Sequence, residues 1–390
     1  MRLLHTSDWH LGRTFHGSSL LAEQELAMDR IVAAVTEHAV DAVLIAGDVY
    51  DRALPAVDVV QLFDRTLARL VETGAKVIVS SGNHDSAVRL GFGGRLMETA
   101  GVHLRTRLED LDVPVVLAGA EEDVLVYALP YLEPRLVAAP LGVSEPGHTP
   151  VVRAALERVR TDAVRRAEAA PGRAQRVVVM AHVFAAGGEA SESERPLAVG
   201  ELDRVPATLF QDVDYAALGH LHGAQAPLPH VRYSGSPLPY SFSEASQHKV
   251  GLLVDLEPGA PARVAELPWP PQRPLARLRG TLETLLSDPS LAHAEDAWCQ
   301  FTLTDPQRPE RPMERLRARF PHALVLRWEP EREREDAHLG YRERVRRDAA
   351  DPALVARGFV DHVRQRPVNE EEDELLTSLV TAAQLEENAK

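Results

Sequence analysis

Five short motifs hold the side chains of this chain that could do chemistry. They are Asp8-Trp9-His10, Gly47-Asp48-Val49-Tyr50-Asp51, Gly82-Asn83-His84-Asp85, an isolated His182, and Gly219-His220-Leu221-His222. Taken singly, each has an ordinary explanation. Asp-x-His also arises as a helix cap with a surface histidine, Gly-Asp-x-x-Asp as a turn, and a lone histidine ending a strand as a satisfied core residue. Taken together and in this order, they offer carboxylate, imidazole and amide groups for two overlapping ligand sets. Two divalent ions about 3.5–4 Å apart, sharing a bridging ligand, activate water against a phosphoester. In this reading Asp48 bridges, Asp8, His10 and His222 complete one site, and Asn83, His182 and His220 complete the other. Oxygen and nitrogen donors without sulfur suit Mn²⁺, with Mg²⁺, Fe or Zn²⁺ as alternatives. His84 stands outside the ligand count. Beside Asn83 it is placed to stabilise the transition state or protonate the leaving oxygen, with Asp85 to orient it. Gly47, Gly82 and Gly219 are expected to turn the backbone tightly, so that the following side chains face the ions.

Every motif follows an apolar run. Leu3-Leu4 leads to Asp8, Ala42 to Ile45 leads to Asp48, and Lys76 to Val79 leads to Asn83; Arg176 to Met180 leads to His182, and Tyr215 to Leu218 leads to His220. Such continuous runs read as buried strands. From Glu23 to His38, Leu26, Ile31 and Val35 are spaced for one helix face, and a second helix is expected from Val151 to Glu168 between Pro/Gly turns. Alternation of this kind points to a layered α/β domain whose functional groups gather beyond the carboxyl ends of the strands.

The chain has 390 residues, which suits one large domain with smaller additions. A formal charge of −15 excludes a general electrostatic grip on nucleic acid, although a local basic patch or a partner subunit would change that. Cys299 is the only cysteine, so neither an internal disulfide nor a thiolate metal cluster is available. No stretch approaches the roughly 20 apolar residues needed to span a bilayer, and no apolar signal region opens the chain; a soluble cytoplasmic protein is expected.

Pro268-Trp269-Pro270-Pro271-Gln272-Arg273-Pro274 marks the first domain boundary, giving a domain over residues 1–268. Three strand-like runs then define a small α+β domain over residues 275–335: Leu275 to Leu278, Ala297 to Leu303 and Ala323 to Trp328. A Glu/Arg-rich stretch from Glu329 to Asp336 follows. In the tail, residues 350–390, Asp351-Pro352 opens one helix carrying Val355, Phe359 and Val363. Asn369 caps a second, with an acidic first turn and an apolar face of Leu375, Leu376, Leu379, Val380 and Ala383. These helices either pack on their own domain or dock a partner.

The order of the five motifs resembles the calcineurin-like metallophosphoesterase superfamily. That resemblance implies a two-metal site on a β-sandwich flanked by helices, in place of an open sheet. The flanking words are similar to the DNA-end nucleases of this superfamily: Leu4 to Gly12, Gly82 to Ser86 with Arg89-Leu90, and Tyr233 to Pro237 with Tyr240 to Glu244. The similarity covers roughly residues 1–255. It implies that Asp8, His10, Asp48, Asn83, His182, His220 and His222 hold two ions, most simply Mn²⁺, and that His84 contacts the phosphate. It further implies exonuclease and endonuclease action on DNA ends and hairpins, a capping domain, C-terminal helices on an SMC-like ATPase, a homodimer within a heterotetramer, and a place at the nucleoid. The chain departs from some relatives at Asp51, where they carry a histidine; Asp51 is left to accept a hydrogen bond from a ligand. The rival readings are a phosphoesterase for nucleotides or phosphoproteins, and a scaffold that keeps its metals for structure.

Overall fold

A computed structural model describes residues 1–194, 204–330, 351–364 and 366–387. The tract from Glu329 to Asp336, and with it the end of the expected 275–335 domain, lies partly outside these residues, as do the Ala383 side chain and the last residues of the tail. The chain divides into two compact units. The larger comprises Met1–Arg279, Glu283–Thr302 and Arg311–Arg327.

Two six-stranded sheets form the heart of the larger unit. One runs Arg263–Pro268, Val250–Asp255, Arg2–Thr6, Ala42–Ala46, Lys76–Ser80, Val102–Arg105. Its last four strands are parallel, and the first two add antiparallel edges. The other runs Gln225–Leu228, Val231–Tyr233, Tyr215–Gly219, Ala174–His182, Glu122–Ala128, Val115–Ala118.

Because side chains alternate along a strand, each run divides its apolar residues between two cores. Leu4, Val43, Ile45, Val77 and Val79 pack under the helices Leu21–Glu37 and Val57–Glu72, against Met28, Ile31, Leu62 and Phe63. Their neighbours Leu3, Ala42, Leu44 and Ile78 face the second sheet and meet its Val126, Val178, Met180 and Ala217. The outer face of that second sheet is covered by Val151, Val152, Leu156 and Val159 of the helix His148–Ala169. The central strands of each sheet are therefore buried on both faces, while edge strands such as Arg263–Pro268 stay largely exposed. His5 sits in the inter-sheet layer, where Nδ1 meets the Tyr215 hydroxyl (2.9 Å) and Nε2 the Leu218 carbonyl (3.1 Å). Burial drives its pKa down to about 3, so the ring stays neutral.

Two local expectations need correction. Leu26 is exposed; the buried face of the first helix is Ala27, Met28, Ile31, Ala34 and Val35, because a step of five residues from Leu26 to Ile31 leaves the stripe. The helix expected from Val151 already begins at His148, with Pro150 tolerated in a first turn whose amides need no intrahelical acceptor.

A three-stranded sheet, Leu275–Gly280, Trp298–Leu303 and Ala323–Trp328, follows as expected. Its Trp298 packs against Phe15, and Phe301 on its opposite face against Phe320. The smaller unit contains the helices Pro352–Arg364 and Glu370–Glu387. Asp351 Oδ1 accepts the amides of Ala353 and Leu354 (2.9 and 3.3 Å), and Asn369 and Glu372 form a reciprocal capping box (2.9 and 3.1 Å). Among the described residues no helix is long and apolar enough to cross a membrane.

Candidate metal centre

The five apolar runs end together. Asp8 and His10 follow the strand Arg2–Thr6, Asp48 follows Ala42–Ala46, and Asn83 and His84 follow Lys76–Ser80 in the first sheet. His182 ends Ala174–His182, and His220 and His222 follow Tyr215–Gly219 in the second. The first two loops run side by side, with the amides of Asp8, His10 and Leu11 donating to the carbonyls of Gly47, Asp48 and Val49 (3.1, 2.9 and 2.9 Å).

Tight turns aim the side chains inward. Asp8, His10, Asp48 and His220 all have positive φ (54°, 44°, 49° and 106°), a conformation that costs non-glycine residues about 1–3 kcal/mol each. Of the expected glycine turns, Gly47 is left-handed (φ 85°). Gly219 serves close approach instead, since a Cβ there would stand 1.9 Å from the Ala46 carbonyl oxygen, and Gly82 likewise lies against Asp48.

Asp8, His10, Asp48, His182, His220 and His222 are buried and Asn83 is half-buried. Ligand atoms of Asp8, His10 and His222 lie within 4.8 Å of one another, as do those of Asp8, Asp48 and His182, and of His10, Asp48 and His84. His10 Nε2 faces His222 Nε2 at 3.1 Å. Asp48 Oδ2 lies 3.6 Å from His10 Nε2 and 3.4 Å from His182 Nε2, and Asn83 Oδ1 is 2.9 Å from His182 Nε2. The His220 ring centroid is 5.4 Å from that of His182.

Outer partners fix the tautomers. His182 Nδ1 donates to the Ala46 carbonyl (3.0 Å), and His222 Nδ1 meets Ser193 Oγ (2.8 Å) and Glu244 (3.4 Å). An imidazole whose Nδ1 is occupied in this way offers Nε2 to a cation. The donor set therefore fits a pair of divalent ions: buried carboxylates, an amide oxygen and Nε2 atoms turned towards one another.

The buried charges shift one another. Burial pushes the Asp8 carboxyl up to about 6. Burial would raise Asp48 as well, but His182, His10 and His84 outweigh it and hold its carboxyl well below the usual range. Burial opposes protonation of His182, yet Asp48 and Asp8 lift it to about 9. His10 and His220 are pushed well down by burial and stay neutral. Such opposed shifts in one cluster mark a place where charge is concentrated for use.

His84 places Nδ1 against the Asp51 carbonyl (2.9 Å), while Nε2 stands 3.9 Å from Asp48 Oδ2. The expected orienting role of Asp85 is corrected by its partners. Its carboxylate accepts the amides of Val49, Tyr50 and Gly82 (3.1, 2.9 and 2.9 Å) and so ties two ligand loops together. Burial and the charge of Asp48 push it up to about 7. Asp51 lies 3.7 Å from His10 Nδ1, too far for the expected hydrogen bond, and that nitrogen has no partner among the described residues.

Sequence reasoning missed the support behind His222. Glu244 and Lys249 form a buried ion pair, and Lys249 Nζ also donates to the His222 carbonyl (2.8 Å) and Ser236 Oγ (3.0 Å). Glu194 accepts the His222 amide (2.8 Å). Gln24 was missed too; it donates to the His10 carbonyl (2.8 Å) and accepts the Gly12 amide (2.9 Å). Lone charged residues in polar stretches look like surface, so only their partners identify them.

Residues 1–224 match the family described as calcineurin-like phosphoesterase, and residues 271–364 match the one described as type 5 capsule protein repressor C-terminal domain. Among curated proteins, the SbcD component of the SbcCD nuclease of Staphylococcus epidermidis is 29% identical over 328 residues, covering 84% of this chain and 85% of that protein. Among solved structures, TT1561 of Thermus thermophilus covers 68% of this chain and 98% of its own, at a TM-score of 0.39 and 13% identity. Convergent ligands at the ends of two facing sheets and a match over more than half its length agree: the chain belongs to the calcineurin-like phosphoesterase family.

Proposed function

We propose that this protein is a metal-dependent DNA nuclease, a two-metal phosphodiesterase cutting DNA ends and hairpins as a 3′–5′ exonuclease and single-strand endonuclease in double-strand break repair. The observation that carries it is the buried cluster of Asp8, His10, Asp48, His84, His182 and His222, with Asn83 and His220 against His182, in a chain alignable along most of a known nuclease component. Asp8, His10, His222 and Asp48 hold one ion, and Asn83, His182, His220 and Asp48 the other, Mn²⁺ being favoured and Mg²⁺ the alternative. Bound ions supply charge neutralisation at the phosphate and activation of water. His84 keeps its Nδ1 on the Asp51 carbonyl, so Nε2 is the atom that meets a phosphate oxygen or protonates the departing one. Residues 1–268 form the nuclease domain, 275–335 a DNA-recognising cap, and 350–390 the docking helices for an SbcC-type SMC-like ATPase. The assembly is a homodimer within a heterotetramer, cytoplasmic and nucleoid-associated.

The test is cleavage of hairpin and end-blocked DNA by the purified chain with Mn²⁺, beside small phosphodiesters. DNA cleavage is expected, with His84→Ala lowering kcat by at least about 100-fold while bound metal stays constant. Hydrolysis confined to small phosphodiesters or phosphoproteins would reject the nuclease reading. Full activity in His84→Ala would remove its role.

A further inference from the structure

Beside the candidate metal centre lies a cavity of about 240 Å³, lined among others by Arg13, His16, Phe242, Gln300 and Arg327. It has room for about eight waters by their share of liquid volume, comparable to a single nucleobase. Gln300 comes from the strand Trp298–Leu303 and projects to the same side as Trp298, which packs on Phe15. The residue is 6% exposed and lines the cavity. The amide faces the cavity and is open to pair with a ligand held there. The opposite wall is aromatic: His16 lies on Phe242 with ring centroids 5.3 Å apart and planes 31° apart. Arg327 is exposed at the rim.

The cavity is joined to the metal centre by direct contacts. Arg13 donates to the Ser193 carbonyl (2.8 Å), lies over the Tyr240 ring, and stands 3.7 Å from Asp51. Ser193 in turn touches His222. A group held in the cavity is thus a short step from the proposed scissile phosphate.

We propose, resting on the nuclease reading above, that this cavity receives the unpaired base of the nucleotide next to the scissile phosphodiester. Gln300 hydrogen-bonds the base edge, the His16–Phe242 wall stacks on its face, and Arg327 meets the flanking phosphate. A carboxamide presents a donor and an acceptor side by side, which is the complement of a nucleobase edge such as N6 and N7 of adenine. Aromatic faces accept any base, so stacking supplies grip and the amide supplies orientation. Gln300 is in this sense a positioning residue for the substrate.

The experiment is a cycle of enzyme against substrate with Mn²⁺. Wild type, Gln300→Leu and His16→Ala are each given an oligonucleotide with a normal base beside the cleaved bond, and the same strand abasic at that nucleotide. Wild type is expected to prefer the normal strand by about tenfold or more in kcat/KM, and both variants to lose most of that preference. His16 is exposed, so its variant carries no risk to the core. Equal preference in wild type and both variants would overturn the proposal, as would an equal loss by Gln300→Leu on both strands, which marks a structural role. Absence of DNA cleavage by wild type would overturn the nuclease reading and this inference with it; cleavage without base preference overturns this inference alone.

Discussion

Gly219 shows how little room the centre leaves. Its missing side chain lets the backbone of one sheet lie on the Ala46 carbonyl of the other, with His182 2.9 Å from where a Cβ would be. Neither neighbour is a flexible side-chain end, since one is backbone and the other a ring held by Ala46. Gly219→Ala is therefore expected to destabilise the protein by about 3 kcal/mol and to weaken metal binding, read by denaturant unfolding and metal titration. Unchanged stability and affinity would mean that the sheets separate there without penalty. At this scale the sequence was legible where candidate residues follow strands, because five such motifs in one order are hard to explain by caps, turns and core histidines alone. It was illegible at Gln24, Lys249 and Gln300, whose significance depends on neighbours distant in the chain.

Among the elements, the helix His148–Ala169 illustrates charge used for attachment. Asp162 is 4% exposed and accepts from Tyr127 Oη (2.9 Å), Arg166 Nε (2.6 Å) and Arg165. Burial would raise its carboxyl, but the two guanidiniums and the phenol outweigh that and hold it below the usual range. A depressed folded pKa contributes stability above the unfolded value near 3.9, and that contribution disappears as pH falls through the folded pKa. Asp162→Asn should cost about 2 kcal/mol at pH 7, and the gap to wild type should close in acid. Urea unfolding at both pH values decides it; a gap independent of pH would assign the loss to packing. The strands of the ligand runs were also legible, but not the sandwich. A sheet covered by helices on one face and a second sheet on the other gives the same unbroken apolar run as one covered by helices on both. Leu3 and Leu4 look alike in sequence and belong to different cores.

For the whole molecule, the balance of −15 leaves DNA affinity to local groups and to partners. The terminal helices are the natural place for a partner, with Phe359, Val363, Leu375 and Leu379 exposed by 54%, 61%, 60% and 58%. Deleting residues 350–390 is expected to abolish co-purification with a coiled-coil ATPase while Mn²⁺ binding persists. Retained co-purification would place the contact elsewhere.

His10 and His222 meet nose to nose although 212 residues separate them along the chain. A nascent polypeptide carrying only the first of them lacks the second imidazole of this pair. The cluster consequently assembles only once both layers have closed on each other.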